Sequence, residues 1–144
     1  FDTSKVEYMP EMFDGCSNLT SLDVSGFDTS KVTTMSSMFW ECSNLTSLDV
    51  SSFNTSNVEN MAGMFYSCSS LTSLDLSGFD TSKVTKMSSM LRECSNLANI
   101  YVGRKWSTEK ATESYSMFLK SEKLQNYNSY DTNARKAHTV QMDI

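Results

Sequence analysis

The stretch FDTSKVTTMSSMFWECSNLTSLDVSS occupies residues 27–52, and its pattern recurs along most of the chain. The same 26-residue step separates all the cysteines, which are Cys16, Cys42, Cys68 and Cys94. Four units follow one another without a gap over residues 1–103, and the fourth is one residue short. A fixed period of this length is typical of proteins whose units stack side by side and bury a shared core.

The repeat continues in degenerate form beyond the fourth unit. Apolar residues keep the pattern at five positions, namely Trp106, Met117, Phe118, Leu124 and Tyr127, and Ser121 takes the place of the cysteine. We therefore divide the chain into four tandem 26-residue repeats at 1–103, a degenerate fifth repeat at 104–129 and a C-terminal cap or truncated tail at 130–144. A cap is expected because the open end of a stacked core must be covered.

Each unit contains two apolar patterns. The segment LTSLDVS at residues 19–25 alternates apolar and polar side chains, which predicts a short strand. Its L-x-x-L-x-V pattern is that of a leucine-rich repeat. The segment SKVTTMSSMFWEC at residues 30–42 spaces its apolar residues by three and four, which predicts a short helix with Thr29 or Ser30 as its N-cap. Units stacked about 4.8 Å apart would join the strands. The sequence thus predicts an α/β leucine-rich-repeat solenoid, with a parallel β-sheet on one face and short helices on the other.

The unit F-D-T-S-K/N-V-x-x-M-x-x-M-F-x-x-C-S-N-L-T-S-L-D-V-S resembles the BspA-type leucine-rich repeats of bacterial surface proteins. The similarity is close over residues 1–103 and loose over 104–127. It implies an extracellular or bacterial cell-surface location and a non-catalytic role in protein–protein interaction or adhesion. It also implies a partner that is a protein or glycan on host or neighbouring cells. The alternative is a passive structural spacer that projects another domain from the cell surface.

Composition argues against several other functions. The net charge is -5 and the basic residues are scattered, so no basic stripe is available for nucleic acid. No run of about 18 apolar residues is present, so we expect no membrane contact by this chain, and a signal or anchor would lie outside it. The single histidine, His138, has no Ser or Cys partner that the sequence can identify. We therefore expect neither an enzyme nor a cofactor.

The four cysteines are expected to be free thiols in the structural core. Their spacing differs from the two to four residues between many zinc ligands, although stacking could still bring neighbouring thiols together. Cα atoms about 4.8 Å apart would also permit disulfides, but equivalent side chains should point in parallel. Disulfides and a metal site remain the alternatives. Met35 and Met38 could suggest a copper site or a flexible groove, but their helical spacing beside Phe39 favours the core.

Acidic side chains should form a column on the outer face of the sheet, at Asp23, Asp49 and Asp75. Solvated carboxylates about 5 Å apart repel by roughly 0.8 kcal/mol, a cost that needs no metal to offset it. A calcium site is the weaker alternative, because its ligands must converge on the ion. Asp28 and the equivalent Asn54 precede Thr-Ser, where a short polar side chain can bond the backbone two residues on.

A partner surface is predicted where otherwise identical units differ. One outward column contains Asp14, Trp40, Tyr66 and Arg92. Trp, Tyr and Arg are enriched among residues that dominate binding energy, although mutual stacking for stability would also explain them. A second candidate lies on the strand face of the fourth unit, where Asn99 and Tyr101 replace the Ser and Asp of earlier units.

Overall fold

A computed structural model describes residues 2–124 and 126–127 of the chain. The described part contains three short strands, β1 (Ser73–Leu76), β2 (Asn99–Val102) and β3 (Asn126–Tyr127). They form one parallel sheet in the order β1-β2-β3. Paired residues of β1 and β2 occupy equivalent places in successive repeats, beginning with Ser73 and Asn99. The predicted cap or tail at 130–144 lies outside the described residues.

The predicted fold class is wrong. No helix forms anywhere in residues 2–124 or 126–127, so the expected α/β leucine-rich-repeat solenoid with helices on one face is not present. The strand segments of the first two units also lack regular strand structure, which limits the sheet to the last three units. The segments predicted as helices are successions of tight turns. In this part of the chain, therefore, no helix is long and apolar enough to cross a membrane.

Left-handed residues prevent the expected helix from forming. In the second unit Ser37 and Glu41 have φ angles of 54° and 55°, and equivalent pairs recur in every unit. A right-handed helix needs negative φ throughout, so two such residues four apart interrupt it twice. Two consecutive tight turns space the apolar side chains by three and four residues, as a helix does. The apolar pattern therefore could not distinguish the two structures.

Backbone hydrogen bonds between units replace those of a helix. The Ser37 N–H donates to the carbonyl of Ala62 at 2.9 Å, and the Phe39 N–H donates to that of Met64 at 2.9 Å. Equivalent bonds recur at each of the four unit boundaries. Isolated parallel bridges also connect one position of all five units, through Tyr8, Thr34, Asn60, Lys86 and Glu113. The N–H groups that would bond within a helix therefore bond to carbonyl groups of the next unit instead.

The core lies behind these turns and runs through all the units. Met38, Phe39 and Cys42 are fully buried, as are their counterparts in the third and fourth units. The phenylalanine rings stack along the column, with centroids 5.6 Å apart between Phe13 and Phe39. The first unit is more open, since Met12 is exposed and Phe13 only half-buried. Equivalent positions therefore differ in burial according to whether described units pack on both sides.

A buried threonine in each unit forms two hydrogen bonds with the next unit. Thr29 is 1% exposed, and its Oγ1 donates to the Asn54 carbonyl at 3.0 Å while accepting the Asn54 N–H at 2.8 Å. The same two-way contact links Thr3 to Asp28, Thr55 to Asp80 and Thr81 to Ser107. The predicted N-cap role of Thr29 is wrong, because there is no helix to cap and the hydroxyl serves the neighbouring unit.

Candidate functional site

Three members of the predicted outward column, Trp40, Tyr66 and Arg92, form a stack, while Asp14 is exposed. The rings of Trp40 and Tyr66 lie nearly parallel, with centroids 3.8 Å apart and an interplanar angle of 9°. The guanidinium carbon of Arg92 lies 5.8 Å from the Tyr66 centroid, within range of a cation–π contact. All three side chains are half-buried. They face outward because each follows a core residue in its turn, as Trp40 follows the fully buried Phe39.

The backbone of the third unit holds the tryptophan in place. Gly63 has a φ of +63°, and a Cβ there would come within 2.8 Å of two Trp40 ring carbons. The indole therefore occupies the space that a side chain at residue 63 would need. The ring is confined between this glycine and Tyr66, so its orientation is fixed before any partner binds.

Charged groups border the stack at the fourth and fifth units. Glu93 Oε1 lies 3.2 Å from Lys120 Nζ and 3.6 Å from Arg92 Nε. Desolvation acts to raise the pKa of Glu93, but the hydrogen bonds from Lys120 and Tyr66 and the charges of Lys120 and Arg92 together outweigh it, so this pKa is lowered overall. Arg92 Nε itself is enclosed without a hydrogen-bond partner in the described part of the chain. These groups form an ionic cluster at one end of the aromatic stack.

Two exposed side chains that sequence reasoning missed extend this surface. Leu119 follows the core residue Phe118 and so occupies the place that Arg92 has in the fourth unit, and it is 39% exposed. Tyr115 lies in the same turn segment and is 62% exposed. The alignment that sets Ser121 at the cysteine position also puts Leu119 in the column of Arg92, but the predicted surface ended at the fourth unit.

The structure separates the second predicted candidate from the first. Asn99 and Tyr101 lie on β2, whereas Trp40, Tyr66 and Arg92 lie in the turn segments. Tyr101 is 47% exposed and pairs in register with Asp75 of β1. An open groove of about 440 Å³ lies beside β1 and is lined by residues that include Ser47, Leu48, Asp49, Ser73 and Asp75. The five predicted partner residues therefore belong to two surfaces.

The acidic residues bond to nearby backbone groups. Asp23, Asp49 and Asp75 each accept the N–H of the serine two residues on at 2.9 Å. The hydrogen bond from Ser51 lowers the pKa of Asp49. Asp28 makes the same contact with Ser30, which confirms the turn interaction predicted for it. Within the described residues, no group of three or more His, Cys, Asp or Glu side chains is arranged to hold a metal ion.

The four cysteines are free thiols that point along the stack. Cys42 Sγ donates to the Phe13 carbonyl at 3.2 Å, and Cys68 repeats the contact with Phe39 at 3.2 Å. Ser121 preserves the contact in the fifth unit, where its hydroxyl donates to Leu91 at 2.6 Å. Burial raises the pKa of Cys42 to about 11 and that of Cys94 to about 12. A small hydrogen-bond donor therefore occupies this position in the second to fifth units.

Nearly the whole length of the chain matches a known protein family. The family model described as "Mycoplasma protein of unknown function, DUF285" matches residues 1–102 and, in an overlapping alignment, 48–142. The chain belongs to the DUF285 family. No curated protein matches the chain, and no solved structure matches it.

The match to the DUF285 family also includes the degenerate fifth unit. The second alignment includes Trp106, Ser121 and Leu124, which keep the repeat pattern only loosely. All three are buried in the structure. The DUF285 description states no function, so the chemistry of the surface must guide a functional proposal.

The first cysteine should react differently from the other three in this DUF285 chain. Cys42, Cys68 and Cys94 are buried, whereas Cys16 is half-buried, so the expectation of uniform burial does not hold for Cys16. At pH 8 a thiol reagent should label Cys16 alone in the native protein, because the thiolate is the reactive form and burial suppresses it elsewhere. Mass spectrometry after labelling would measure this.

Two further samples complete the labelling test. Denaturation without reductant should expose all four thiols, whereas two or none would indicate disulfides and contradict the structure. The variant Cys16→Ser, which copies the serine present at Ser121, should remove the native labelling and leave three thiols after denaturation. Rapid labelling of this variant in its native state would show that the buried cysteines are accessible.

Proposed function

We propose that the chain is a non-catalytic interaction module of the BspA type, acting in adhesion at an extracellular or bacterial cell-surface location. Its partner is a protein or glycan on host or neighbouring cells. The observation that carries the proposal is the half-exposed Trp40–Tyr66 stack, bordered by Arg92. Trp, Tyr and Arg are the residue types most enriched among those that dominate binding energy at interfaces.

The contrast between inner and outer positions supports this function. The core keeps the same residue types from unit to unit, as in Met38 and Met64 or Cys42 and Cys68. The outward column, by contrast, changes residue type in every unit. Packing within the core does not require this variation, whereas a surface that recognises a partner needs distinct chemistry at each point. Confinement of Trp40 by the next unit also lowers the entropy cost of binding.

The decisive experiment replaces both stacked rings by serine, in Trp40→Ser/Tyr66→Ser. Beads coated with the chain would be tested for binding to immobilised extracellular matrix and to cell layers. We expect a loss of about 2 kcal/mol or more in binding free energy, roughly thirtyfold in affinity. The variant should also lose about 0.5–1.5 kcal/mol of stability, because the rings contact each other. Binding must therefore be measured well below the melting temperature.

A matched control separates binding from stability. The variant Trp40→Phe/Tyr66→Phe keeps two stacked rings, so it should melt near the wild-type temperature and retain most of the binding. If the serine variant melts earlier while its binding stays unchanged, the stack serves stability only. That result would favour the passive spacer, and Tyr101→Ser would then test the strand-side surface.

A further inference from the structure

The stacked rings of the outward column have a cation on one side only. The guanidinium carbon of Arg92, in the fourth unit, lies 5.8 Å from the centroid of the Tyr66 ring. Trp40, in the second unit, lies against the other face of that ring, with the centroids 3.8 Å apart. The remaining face of the indole therefore points toward the first unit, where the column continues with the exposed side chain of Asp14. A guanidinium thus borders one end of the ring pair and a carboxylate borders the other.

The Arg92 side of the ring pair shows how a carboxylate completes this kind of contact. Glu93 Oε1 lies 3.6 Å from Arg92 Nε, and the Tyr66 hydroxyl donates a hydrogen bond to the same carboxylate. Glu93 therefore borders the column both in its own unit and in the unit before it. A ring, a guanidinium and a carboxylate contact one another there, and both the ring and the carboxylate attract the cation.

The Trp40 side has the ring and the carboxylates but no cation. Glu41 occupies in the second unit the position that Glu93 has in the fourth, so it borders the column between Trp40 and Asp14. Neither Asp14 nor Glu41 forms an ion pair with any other residue that the structure describes. The residue after Asp14 is Gly15, where a Cβ would meet nothing within 4 Å. The first unit therefore leaves room beside the indole for a side chain from another molecule.

We propose that the free face of Trp40, together with Asp14 and Glu41, binds an arginine side chain on an exposed basic segment of a partner protein. The proposal rests on the proposed function, and it identifies the partner at that site as a protein and not a glycan. A planar guanidinium can stack on an indole face while it donates hydrogen bonds to carboxylates beside the ring. Arg92 already occupies the equivalent setting on Tyr66 within the chain.

Charge on the neighbouring turns selects this kind of partner. Segments 8–15 and 34–41 contain no lysine or arginine, and both Asp14 and Glu41 are exposed. A sialylated or sulfated glycan would be repelled by these carboxylates, and a neutral glycan would leave them without a counter-charge. A lysine would supply the charge, but its compact ammonium lacks the planar surface that stacks on a ring. The site should therefore prefer arginine to lysine.

The two tryptophans allow the contact to be measured by nuclear magnetic resonance. Trp106 is 1% exposed, so its indole N–H signal serves as an internal reference. A peptide of alternating arginine and glycine should shift the Trp40 indole signal with a Kd of about 1 mM and leave the Trp106 signal unchanged. The same peptide with citrulline in place of arginine keeps the planar shape without the charge, and it should bind about tenfold more weakly or less. A Trp40 signal that does not respond to the arginine peptide, or responds equally to citrulline, overturns the proposal.

Charge-removing variants test the two carboxylates. Asp14→Asn and Glu41→Gln should each weaken peptide binding about threefold, because each removes one exposed charge and preserves shape. Glu59→Gln removes an exposed carboxylate outside the two turns and should bind the peptide as the wild type does. Asp14→Arg copies Arg92 of the fourth unit, so its own guanidinium should occupy the indole face and abolish peptide binding. Equal weakening by Glu59→Gln, or full binding by Asp14→Arg, would show that no specific site exists.

Bead assays separate this proposal from the proposed function. Beads coated with Asp14→Asn/Glu41→Gln should lose about tenfold in binding to immobilised matrix, the product of the two single losses. If this variant binds normally while Trp40→Ser/Tyr66→Ser does not, the arginine site is wrong and the proposed function stands. Normal matrix binding by Trp40→Ser/Tyr66→Ser would overturn the proposed function instead. Phosphatidylcholine vesicles or a sialylated oligosaccharide that shift the Trp40 signal as strongly as the peptide would overturn the choice of a protein partner. Thermal melting of each variant would identify any loss of folding.

Discussion

Replacing Thr55 by valine should lower the free energy of unfolding by about 2–4 kcal/mol, because the change removes two hydrogen bonds without opening a cavity. Thr55 is 1% exposed, and its Oγ1 donates to the Asp80 carbonyl at 3.0 Å and accepts the Asp80 N–H at 2.8 Å. Valine has the same shape but no hydroxyl, so both backbone groups would lose their partner at the boundary between two units. Urea unfolding followed by circular dichroism would measure the effect.

A matched variant isolates the role of the hydroxyl. Thr55→Ser keeps both hydrogen bonds and deletes one methyl group, so it should cost about 1 kcal/mol. Valine should therefore be clearly more damaging than serine. A valine variant as stable as the wild type would show that the threonine contributes through its methyl group alone. Equal losses in the two variants would show that the two hydrogen bonds contribute no more than one methyl group.

Replacing Gly103 by alanine should destabilise the protein by about 3 kcal/mol, the upper end of the usual cost of overpacking. The fourth unit is one residue short, and its last residue passes against the backbone of the third. A Cβ on Gly103 would overlap the carbonyl oxygen of Ser77 and lie 3.1 Å from its carbonyl carbon. Both atoms are backbone, so relief would require one unit to move relative to the other.

Two other glycines provide the control. A Cβ on Gly78 would have its nearest neighbour, the Ser51 carbonyl oxygen, at 4.0 Å, and one on Gly26 would meet nothing within 4 Å. Gly78→Ala and Gly26→Ala should therefore melt within a few degrees of the wild type. Similar melting temperatures for all three alanine variants would mean that the short unit has room for a side chain at Gly103.

Part of the candidate site was predictable from the repeat alone. Once the units are aligned, Trp40, Tyr66 and Arg92 occupy one outward column, and the structure places them in contact. The alignment could not reveal that Trp40 lies over Gly63, because that contact depends on the path of the turn. Leu119 was missed because the predicted column ended at the fourth unit, although the alignment of Ser121 with the cysteines puts Leu119 in the same column.

The amino-acid sequence by itself determined the length of the repeat and the register in which successive units pair. A step of 26 residues separates Ser73 from its sheet partner Asn99, and the recurrent Met, Phe and Cys positions form the buried core. These features follow from composition and spacing, since identical units bury identical faces when they stack.

Only the tertiary structure decided which partners form hydrogen bonds with the backbone N–H and C=O groups. The apolar spacing of residues 30–42 suits a helix and a pair of tight turns equally, and propensity favours neither strongly. Backbone carbonyls of the next unit accept hydrogen bonds from the N–H groups of Ser37 and Phe39 and from the hydroxyl of Thr29. These contacts offset the cost of the left-handed conformations at Ser37 and Glu41, about 1–2 kcal/mol per residue. An isolated unit has no such partners, which is why a single repeat was expected to contain a helix and the stacked protein contains turns.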